Sequence, residues 1–240
     1  DFLLYIFGIL STRNSGYPEC RALIRAERVS VAGDIIDDPF AEVVPENLEF
    51  SVNGETWRYR PQVYLVLHKP TDHECSHKPQ FHPSVFSLLP AALVTRGVQA
   101  VGRLDHDSTG LLLFSDDGQF IHFWSSGKKR VPKVYEVICA ETVTAEQVAA
   151  LLRGVQLHDE PLPIAAAACE QTGERALRLT VTEGKYHQVK RMVAAAGNHV
   201  ERLHRSRIGG FTLPADLAPG QWRWLEEADL TQLANYPPQP

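Results

Sequence analysis

The central motif of this chain is Val101-Gly102-Arg103-Leu104-Asp105-His106-Asp107-Ser108-Thr109-Gly110, which leads directly into the apolar run Leu111-Leu112-Leu113-Phe114. An apolar run bounded by turn-forming residues predicts a strand. Two carboxylates, a pair of hydroxyls and a glycine come directly before that strand, and Asp105 is the first candidate for a reactive group. Asp107 and the residues after it also fit an ordinary hydrogen-bonded turn. Asp116-Asp117-Gly118 follows the strand and predicts a turn.

On both sides of this motif, strands and helices interleave without the regular spacing of βαβ units. Strands are predicted at 64–67, 111–114, 135–139 and 176–181, and helices at 145–153 and 188–196. Thr144 and Gln147 form a capping-box signature for the first helix, and Gly197 ends the second. Residues 72–83 form a polar loop rich in histidine and proline. With no GxGxxG motif present, the predicted fold class is α+β.

The first 60 residues predict a small unit of their own. One helical face is shared by four apolar residues, Leu3, Leu4, Phe7 and Leu10. A second helix is predicted over 19–26, and two hairpins follow. The first hairpin turns at Ala32-Gly33-Asp34, and the second turns at Asn53-Gly54, a pair that tolerates positive φ. Polar residues at 60–62 then separate a domain at 1–60 from a second domain at 63–236.

The composition excludes some classes of protein and leaves a local basic surface possible. The 240 residues are 44% hydrophobic and 22% charged, which predicts a packed core rather than wholesale disorder. The formal net charge is −5, so a uniformly basic surface is excluded. Residues 175–210 nevertheless carry eight Arg and Lys against two Glu, a local excess of +6, and Lys128-Lys129-Arg130 with Lys133 forms a second basic cluster. Such clusters attract phosphates. If all six net charges contacted single-stranded RNA, log K would fall against log salt with a slope of about 4.

The cysteines and the apolar runs predict a cytoplasmic protein with reduced thiols. The four cysteines, at 20, 75, 139 and 169, are scattered and include no CxxC pair, so neither a disulfide framework nor a Cys-type zinc site is predicted. The longest apolar run, 2–10, is interrupted by Gly8 and is far shorter than the ~20 residues that span a bilayer. No cofactor, metal, membrane contact or obligatory protein partner is expected.

Further motifs follow one another in a definite order. They are Lys69-Pro70, Gly102-Arg103-Leu104-Asp105, Lys133-Val134-Tyr135, Glu183-Gly184-Lys185-Tyr186-His187-Gln188-Val189-Lys190-Arg191-Met192 and Leu203-His204-Arg205-Ser206-Arg207-Ile208-Gly209-Gly210. This series resembles the motifs of RsuA-type pseudouridine synthases and covers nearly the whole second domain. The first domain is similar to an S4 RNA-binding module. Two residues depart from the family pattern: His68 replaces the usual Asn, and Asp72 replaces the usual Gly.

The resemblance implies a catalytic domain built on a mixed, mainly antiparallel β-sheet with flanking helices. It implies conversion of a specific uridine to pseudouridine, in which an extruded nucleotide loses its N1–C1′ bond and the base rejoins through C5. Asp105 would be the ionised carboxylate, either attacking C1′ or assisting removal of a ribose proton. Tyr135 would stack on the uracil. Lys190, at the border of the apolar helix stripe, would be the charge partner of Asp105.

The substrate contacts implied by the family are more widely spread. Arg103 would help to hold the flipped nucleotide, and Leu203 would form part of the apolar wall around the base. Arg191, Arg205 and Arg207 are candidate phosphate contacts, although Arg191 also fits plain solvated surface. The Tyr-His-Gln-Val-Lys form at 186–190 is most similar to the branch that modifies small-subunit rRNA. The expected partner is therefore 16S rRNA or an assembly intermediate, with 23S rRNA as the alternative.

Two other functions also fit parts of the sequence. Asp105 and Asp107 resemble the nucleophile and acid of haloacid-dehalogenase-like phosphatases. That family's Mg²⁺ site needs an acidic pair much further downstream than Asp116-Asp117. A non-catalytic S4-type RNA-binding or ribosome-assembly factor is the second alternative. The first domain carries six basic against ten acidic residues through Arg60, so an RNA-binding role is less strongly indicated there than in the second domain.

Overall fold

A computed structural model describes residues 18–44 and 48–237 of the chain. The predicted helix on Leu3, Leu4, Phe7 and Leu10 lies outside these residues. Contacts divide the chain into two compact units: Asp1–Val63 with Leu89–Gln99, and Tyr64–Leu88 with Ala100–Pro240. The segment Leu89–Gln99 therefore groups with the first unit, although a single linear boundary near residue 62 assigns it to the second.

The first unit packs helices against a small antiparallel sheet. Its elements are α1 (Pro18–Arg25), β1 (Val29–Val31), β2 (Asp34–Ile35), β3 (Glu49–Val52), β4 (Glu55–Arg58) and α2 (Ala91–Arg96). The strand order is β2-β1-β3-β4. Both predicted hairpins and the helix predicted at 19–26 are confirmed. Asn53 and Gly54 have φ of 52° and 83°, the conformation that a two-residue hairpin turn requires.

The second unit carries most of the strands. Its elements are β5 (Tyr64–Lys69), β6 (Gln99–Val101, which begins at the unit boundary), β7 (Thr109–Ser115), α3 (Gly118–Ser125), β8 (Lys133–Cys139), α4 (Ala145–Arg153), β9 (Ala168–Gly173), β10 (Ala176–Val181), α5 (Gln188–Ala195), β11 (Val200–Ile208), β12 (Phe211–Thr212), β13 (Trp222–Trp224) and α6 (Glu227–Ala234). Short 3-10 turns lie at Val85–Leu88 and Gly127–Lys129. Residues 72–83 form a loop, as predicted.

The large sheet runs in the order β13-β5-β7-β11-β8-β10-β9. Strands β7 and β11 are parallel, and the other described neighbours along this path are antiparallel. The predicted α+β class with a mixed, mainly antiparallel sheet is therefore confirmed. One apolar cluster packs α4 and α5 against β8, β10 and β11, and a second packs α3 and α6 against β5, β7 and β12. The predicted strand 111–114 is fully buried in β7, an interior strand of the sheet.

The turn predicted at Asp116-Asp117-Gly118 is in fact the start of a helix. Asp117 caps α3 by accepting a hydrogen bond from the Gln119 N–H at 2.9 Å, and it also accepts from the Tyr64 hydroxyl at 2.9 Å. Its carboxylate is therefore used for structure. The seven residues of β7 separate it from the Asp105 loop by roughly 20 Å, because a strand rises ~3.3 Å per residue. This acidic pair cannot share a cation with Asp105.

The predicted capping box is confirmed, since Thr144 and Gln147 exchange hydrogen bonds at the start of α4. The turn after α5 also has the predicted left-handed glycine, with φ of 89° at Gly197. Strand β11, by contrast, was not predicted, because its charged residues interrupt the apolar alternation. Among the helices that the structure describes, none is both long and apolar enough to cross a bilayer.

Candidate active site

Asp105 lies in the loop between β6 and β7, and a buried lysine holds this loop in place. Lys69, at the end of β5, is fully buried. Its Nζ donates to the main-chain oxygens of Pro70, His106 and Ser108 at 2.9, 3.0 and 2.7 Å. Burial lowers the pKa of Lys69, although nearby acidic groups act in the opposite direction. These hydrogen bonds are buried and shielded from water, and they fix the loop backbone to the end of strand β5.

The Asp105 carboxylate lies between two side chains from the start of α5. Lys190 Nζ is 3.0 Å from Oδ2, and His187 Nε2 is 3.2 Å from Oδ1. His187 precedes the first residue of the helix and has a left-handed φ of 46°. The structure therefore places Lys190 beside Asp105, as the resemblance implied. From the sequence, His187 was assigned no catalytic role, although its spacing of three residues from Lys190 is the spacing that brings helix-surface side chains together.

Lys190 also contacts the second carboxylate of the motif. Its Nζ donates to Asp107 Oδ1 and Oδ2 at 2.7 and 2.9 Å. Burial works to raise the pKa of Asp107, but the hydrogen bond and charge of Lys190 outweigh it and hold that pKa below its ordinary value. Burial likewise works to lower the pKa of Lys190, whereas its bonds to Asp107 and Asp105 raise it overall. Asp107 therefore lies in the turn and also binds the Lys190 ammonium group from α5.

A cavity of about 120 Å³ is lined by Asp105 together with residues of the central strands. Tyr135 on β8 and Leu203 on β11 contribute apolar surface to it, and they are 9% and 7% exposed. Tyr135 and Arg205 form a cross-strand pair, so both face the cavity. An ionised carboxylate beside an aromatic ring and an apolar wall can bind a planar ring and attack or deprotonate a group attached to it.

Lys133 lines the same cavity, although the sequence placed it only in a basic cluster and in the motif Lys133-Val134-Tyr135 and assigned it no role in the site. It lies two residues before Tyr135 on β8 and therefore points to the same face of the sheet. A β-bulge in β11 then places Ile208, rather than Arg207, opposite Lys133. Because side chains alternate along a strand, the sequence could have placed Lys133 on the same face as Tyr135 and identified it as a candidate site residue. The bulge, by contrast, has no sequence signature.

The bulge separates two of the predicted phosphate contacts. Arg205 faces the cavity and is only 2% exposed, so it is not available to a phosphate on the outer surface. Arg207 is exposed and pairs with Val134 on the other face of the sheet, away from the cavity. Arg205 and Arg207 therefore lie on opposite faces of the sheet, because one extra residue in β11 reverses the direction of the following side chains.

A second, wider cavity of about 580 Å³ opens on the outer side of Asp105. Arg103 is exposed and lines both cavities, two residues from the carboxylate. The polar loop 72–83 forms another part of the wall. Glu74 holds this loop, since its carboxylate accepts three main-chain N–H groups from residues 80–82 at 2.8–3.0 Å. These hydrogen bonds, the one from Phe81 foremost, lower the pKa of Glu74.

Most cations of the basic segment 175–210 are neutralised by acidic groups. Their ion pairs are Arg175 with Glu201, Arg178 with Glu136 and Glu170, Lys185 with Glu160, Lys190 with Asp105 and Asp107, and Arg191 with Asp159. Arg191 also donates to the Tyr186 main-chain oxygen at 3.1 Å. The excess of +6 is therefore an upper bound on the free positive charge, because carboxylates from outside the segment pair with four of these cations.

Three possible metal ligands, from Asp72, His82 and His106, lie within 4.8 Å of one another near the outer cavity. The two imidazole rings stack with their centroids 4.3 Å apart and their planes at 15°. A histidine binds a metal through a lone pair in its ring plane, so parallel rings cannot both direct nitrogen at one ion. These residues do not form a metal centre as arranged. Asp72 has a left-handed φ of 58°, a conformation that favours the glycine usual at this position.

The chain is similar to known proteins over most of its length. Residues 63–195 match the family model described as RNA pseudouridylate synthase. The chain is 40% identical over 211 residues to "Ribosomal small subunit pseudouridine synthase A" of Escherichia coli (strain K12), covering 88% of this chain and 90% of that protein. The protein of the same name from Vibrio cholerae is 36% identical over 215 residues, covering 90% of this chain and 92% of that one.

A solved structure is also similar over almost the whole length. It is described as "Crystal structure of pseudouridylate synthase", has a TM-score of 0.68 and is 31% identical, and the match covers 97% of this chain and 98% of that one.

Proposed function

The chain belongs to the RNA pseudouridylate synthase family and is an RNA-modifying isomerase, and on that premise we propose that it converts one uridine of 16S ribosomal RNA to pseudouridine. One observation carries the assignment of the site: Lys190 holds the Asp105 carboxylate at 3.0 Å beside a cavity that Tyr135 lines. The choice of 16S rRNA is supported by the relatives named for the small subunit and by the Tyr-His-Gln-Val-Lys form at 186–190.

In this proposal Asp105 acts on the ribose while the base occupies the cavity. The N1–C1′ bond breaks, the uracil turns, and C5 bonds to C1′; C5 then loses its proton and N1 gains one, so the product is an isomer. Lys190 and His187 keep the Asp105 carboxylate aimed at the ribose. The carboxylate either attacks C1′ or assists removal of a ribose proton. Tyr135 supplies the stacking surface, and Leu203 closes the opposite wall.

The target nucleotide has to leave its stack before Asp105 can reach it. Extrusion costs a few kcal/mol, which contacts to the RNA backbone must offset. Arg103 is placed for this role because it is exposed beside both Asp105 and the outer cavity. We propose an RNA-binding, S4-like domain at 1–60 and a catalytic domain at 63–236. Such an enzyme would act in the cytoplasm, on rRNA or on an assembly intermediate.

The proposal is tested by tritium release from C5-labelled uridine in unmodified 16S and 23S transcripts. The wild type should release tritium from 16S RNA with EDTA present, and Asp105→Asn should be slower by at least about 10³-fold. This substitution keeps the shape of the side chain and removes its charge. Asp216→Asn, an exposed carboxylate of the same domain, is the matched control and should retain full activity.

An active Asp105→Asn variant would contradict the assignment of the carboxylate. Release from 23S RNA alone would change the substrate and leave the chemistry in place. A wild type that binds RNA without releasing tritium would favour the non-catalytic assembly factor instead.

A further inference from the structure

Two buried cations line the cavity beside Asp105. Lys133 is 7% exposed and Arg205 is 2% exposed. Arg205 Nε donates to the Leu111 main-chain oxygen at 2.9 Å, whereas its Nη2 is buried without a hydrogen-bond partner in the described part of the chain. Lys133 Nζ has two long contacts, to the main-chain oxygens of Val131 at 3.3 Å and Glu183 at 3.5 Å. Neither cation forms an ion pair with a described residue.

This arrangement is unfavourable for the empty protein. A buried cation without a carboxylate partner loses hydration, and the few main-chain hydrogen bonds of Lys133 and Arg205 replace it only in part. Desolvation lowers the pKa of Lys133 to about 8, the charge of Arg205 lowers it as well, and Glu183 acts in the opposite direction. Two like charges on one cavity wall, one of them with an unused donor, indicate that the cavity accepts a group carrying negative charge.

We propose that Lys133 and Arg205 form the site that stabilises the uracil anion when the glycosidic bond breaks. The electron pair of the N1–C1′ bond stays on the base, and the charge spreads onto the carbonyl oxygens O2 and O4. Lys133 Nζ and Arg205 Nη2 donate hydrogen bonds to these oxygens until C5 returns the pair to C1′. This inference rests on the proposed function and adds the group that receives the negative charge.

The size and lining of the cavity favour a base over a phosphate. At about 120 Å³ it has room for roughly four water molecules of ~30 Å³ each, the space of a small flat ring. Tyr135, Leu203 and Ile208 supply apolar surface that suits a flat ring and would desolvate a phosphate. The sugar–phosphate backbone fits the wider outer cavity. Donors held rigidly where charge develops, in a site without bulk water, stabilise a transition state more than they stabilise the uncharged substrate.

Lys133→Met tests the inference because it keeps the unbranched stem and removes the charge. Loss of one such donor should lower the single-turnover rate on uridine RNA by about 10²–10³-fold. The affinity for RNA should stay unchanged, since Lys133 lies inside the cavity. Arg153→Met, at the exposed end of α4, removes a surface cation in the same way and should leave rate and affinity unchanged.

The discriminating measurement uses RNA with 5-fluorouridine at the target position. Fluorine makes the released base a more stable anion, so the fluorinated base depends less on the two cations. Consumption of the nucleoside, followed by mass spectrometry of digested RNA, should therefore show a smaller defect of Lys133→Met with 5-fluorouridine than with uridine. A variant that is merely misfolded or mispositioned slows both substrates by the same factor.

Equal slowing on both substrates, or no slowing, would overturn the inference while leaving the proposed function standing. A wild type inactive on both RNAs would overturn the proposed function itself. Arg205→Lys keeps a buried charge and removes Nη2. If Lys133→Met does not fold, the rates of Arg205→Lys on uridine and 5-fluorouridine RNA test the inference in its place. Its defect should also shrink with 5-fluorouridine.

Discussion

At the residue scale, one ammonium group serves both carboxylates of the central motif. Lys190 lies 3.0 Å from Asp105 and 2.7 Å from Asp107, and it is itself one-quarter exposed. Asp107 is half-exposed, so water screens that part of the interaction. The stabilising effect of Lys190 is therefore small, and in the proposed mechanism its main role is to orient Asp105.

Lys190→Met should lower the single-turnover rate by about 10²-fold or more and reduce the free energy of unfolding by less than about 1 kcal/mol. Lys190→Arg, which keeps the charge, should retain most of the activity. Urea unfolding and tritium release measure the two quantities. A variant that is fully active, or one whose lost activity is explained by unfolding, would contradict this role.

The difference in unfolding free energy between the wild type and Lys190→Met should depend on pH in a defined direction. The pKa of Asp107 is lowered, so its contribution is present above about pH 4 and is lost as pH falls through the folded-state value. The pKa of Lys190 is raised, so its contribution is present below about pH 10 and is lost as pH rises further. The difference between wild type and Lys190→Met should be largest between these limits.

At the element scale, the parallel pairing of β7 with β11 joins the motif to the cavity. Gly110 is the contact point, and a Cβ there would lie 2.3 Å from the main-chain oxygen of Arg205. Its φ of +110° is also unfavourable for other residues. The glycine of the motif is thus required by strand packing, and this packing positions both Asp105 and Arg205.

Gly110→Ala should destabilise the protein by about 3 kcal/mol or more, since overpacking and backbone strain act together. Its activity should fall with it, because β7 and β11 both border the site. Gly118→Ala is the matched control: its Cβ would meet nothing within 4 Å at the start of α3, and no loss of stability is expected. Similar midpoints for the two variants in thermal unfolding would contradict this account of Gly110.

At the scale of the whole molecule, the fold pairs most of the cations that the sequence concentrates in residues 175–210 with carboxylates. Of the cations in 175–210, five are ion-paired and Arg205 is buried. The net excess of +6 therefore overstates the charge available to RNA. Arg202 and Arg207 are the exposed cations that remain in this segment, and Arg103 is exposed beside the cavities.

The slope of log K against log salt for binding of single-stranded RNA should accordingly be clearly smaller than the value of about 4 that six free charges would produce. Arg103→Gln should reduce the slope by about 0.7, the contribution of one phosphate contact. Arg178→Gln should leave it unchanged, because Glu136 and Glu170 already hold that guanidinium. Filter binding over a salt series measures both, and equal effects of the two variants would argue against the role of Arg103.

Local features of this protein could be read from the order of its residues. Asn53-Gly54 predicts its hairpin, Thr144 and Gln147 predict their capping box, and the apolar run 111–114 predicts the buried strand β7, because each depends on neighbours within a few positions. The family resemblance added the expectation that Asp105, Tyr135 and Lys190 work together. Helix α3 was missed, because its cap was interpreted as a turn.

The positions of Arg205 and Arg207 relative to the cavity depend instead on long-range packing. A bulge of one residue after Arg205 turns Arg207 to the face opposite the cavity, and no pattern in the sequence marks it. Ion pairs between distant segments, such as Lys185 with Glu160, likewise form only when the sheet brings them together. Local propensities act over a few residues, whereas strand register and charge pairing are set by the packing of the whole domain.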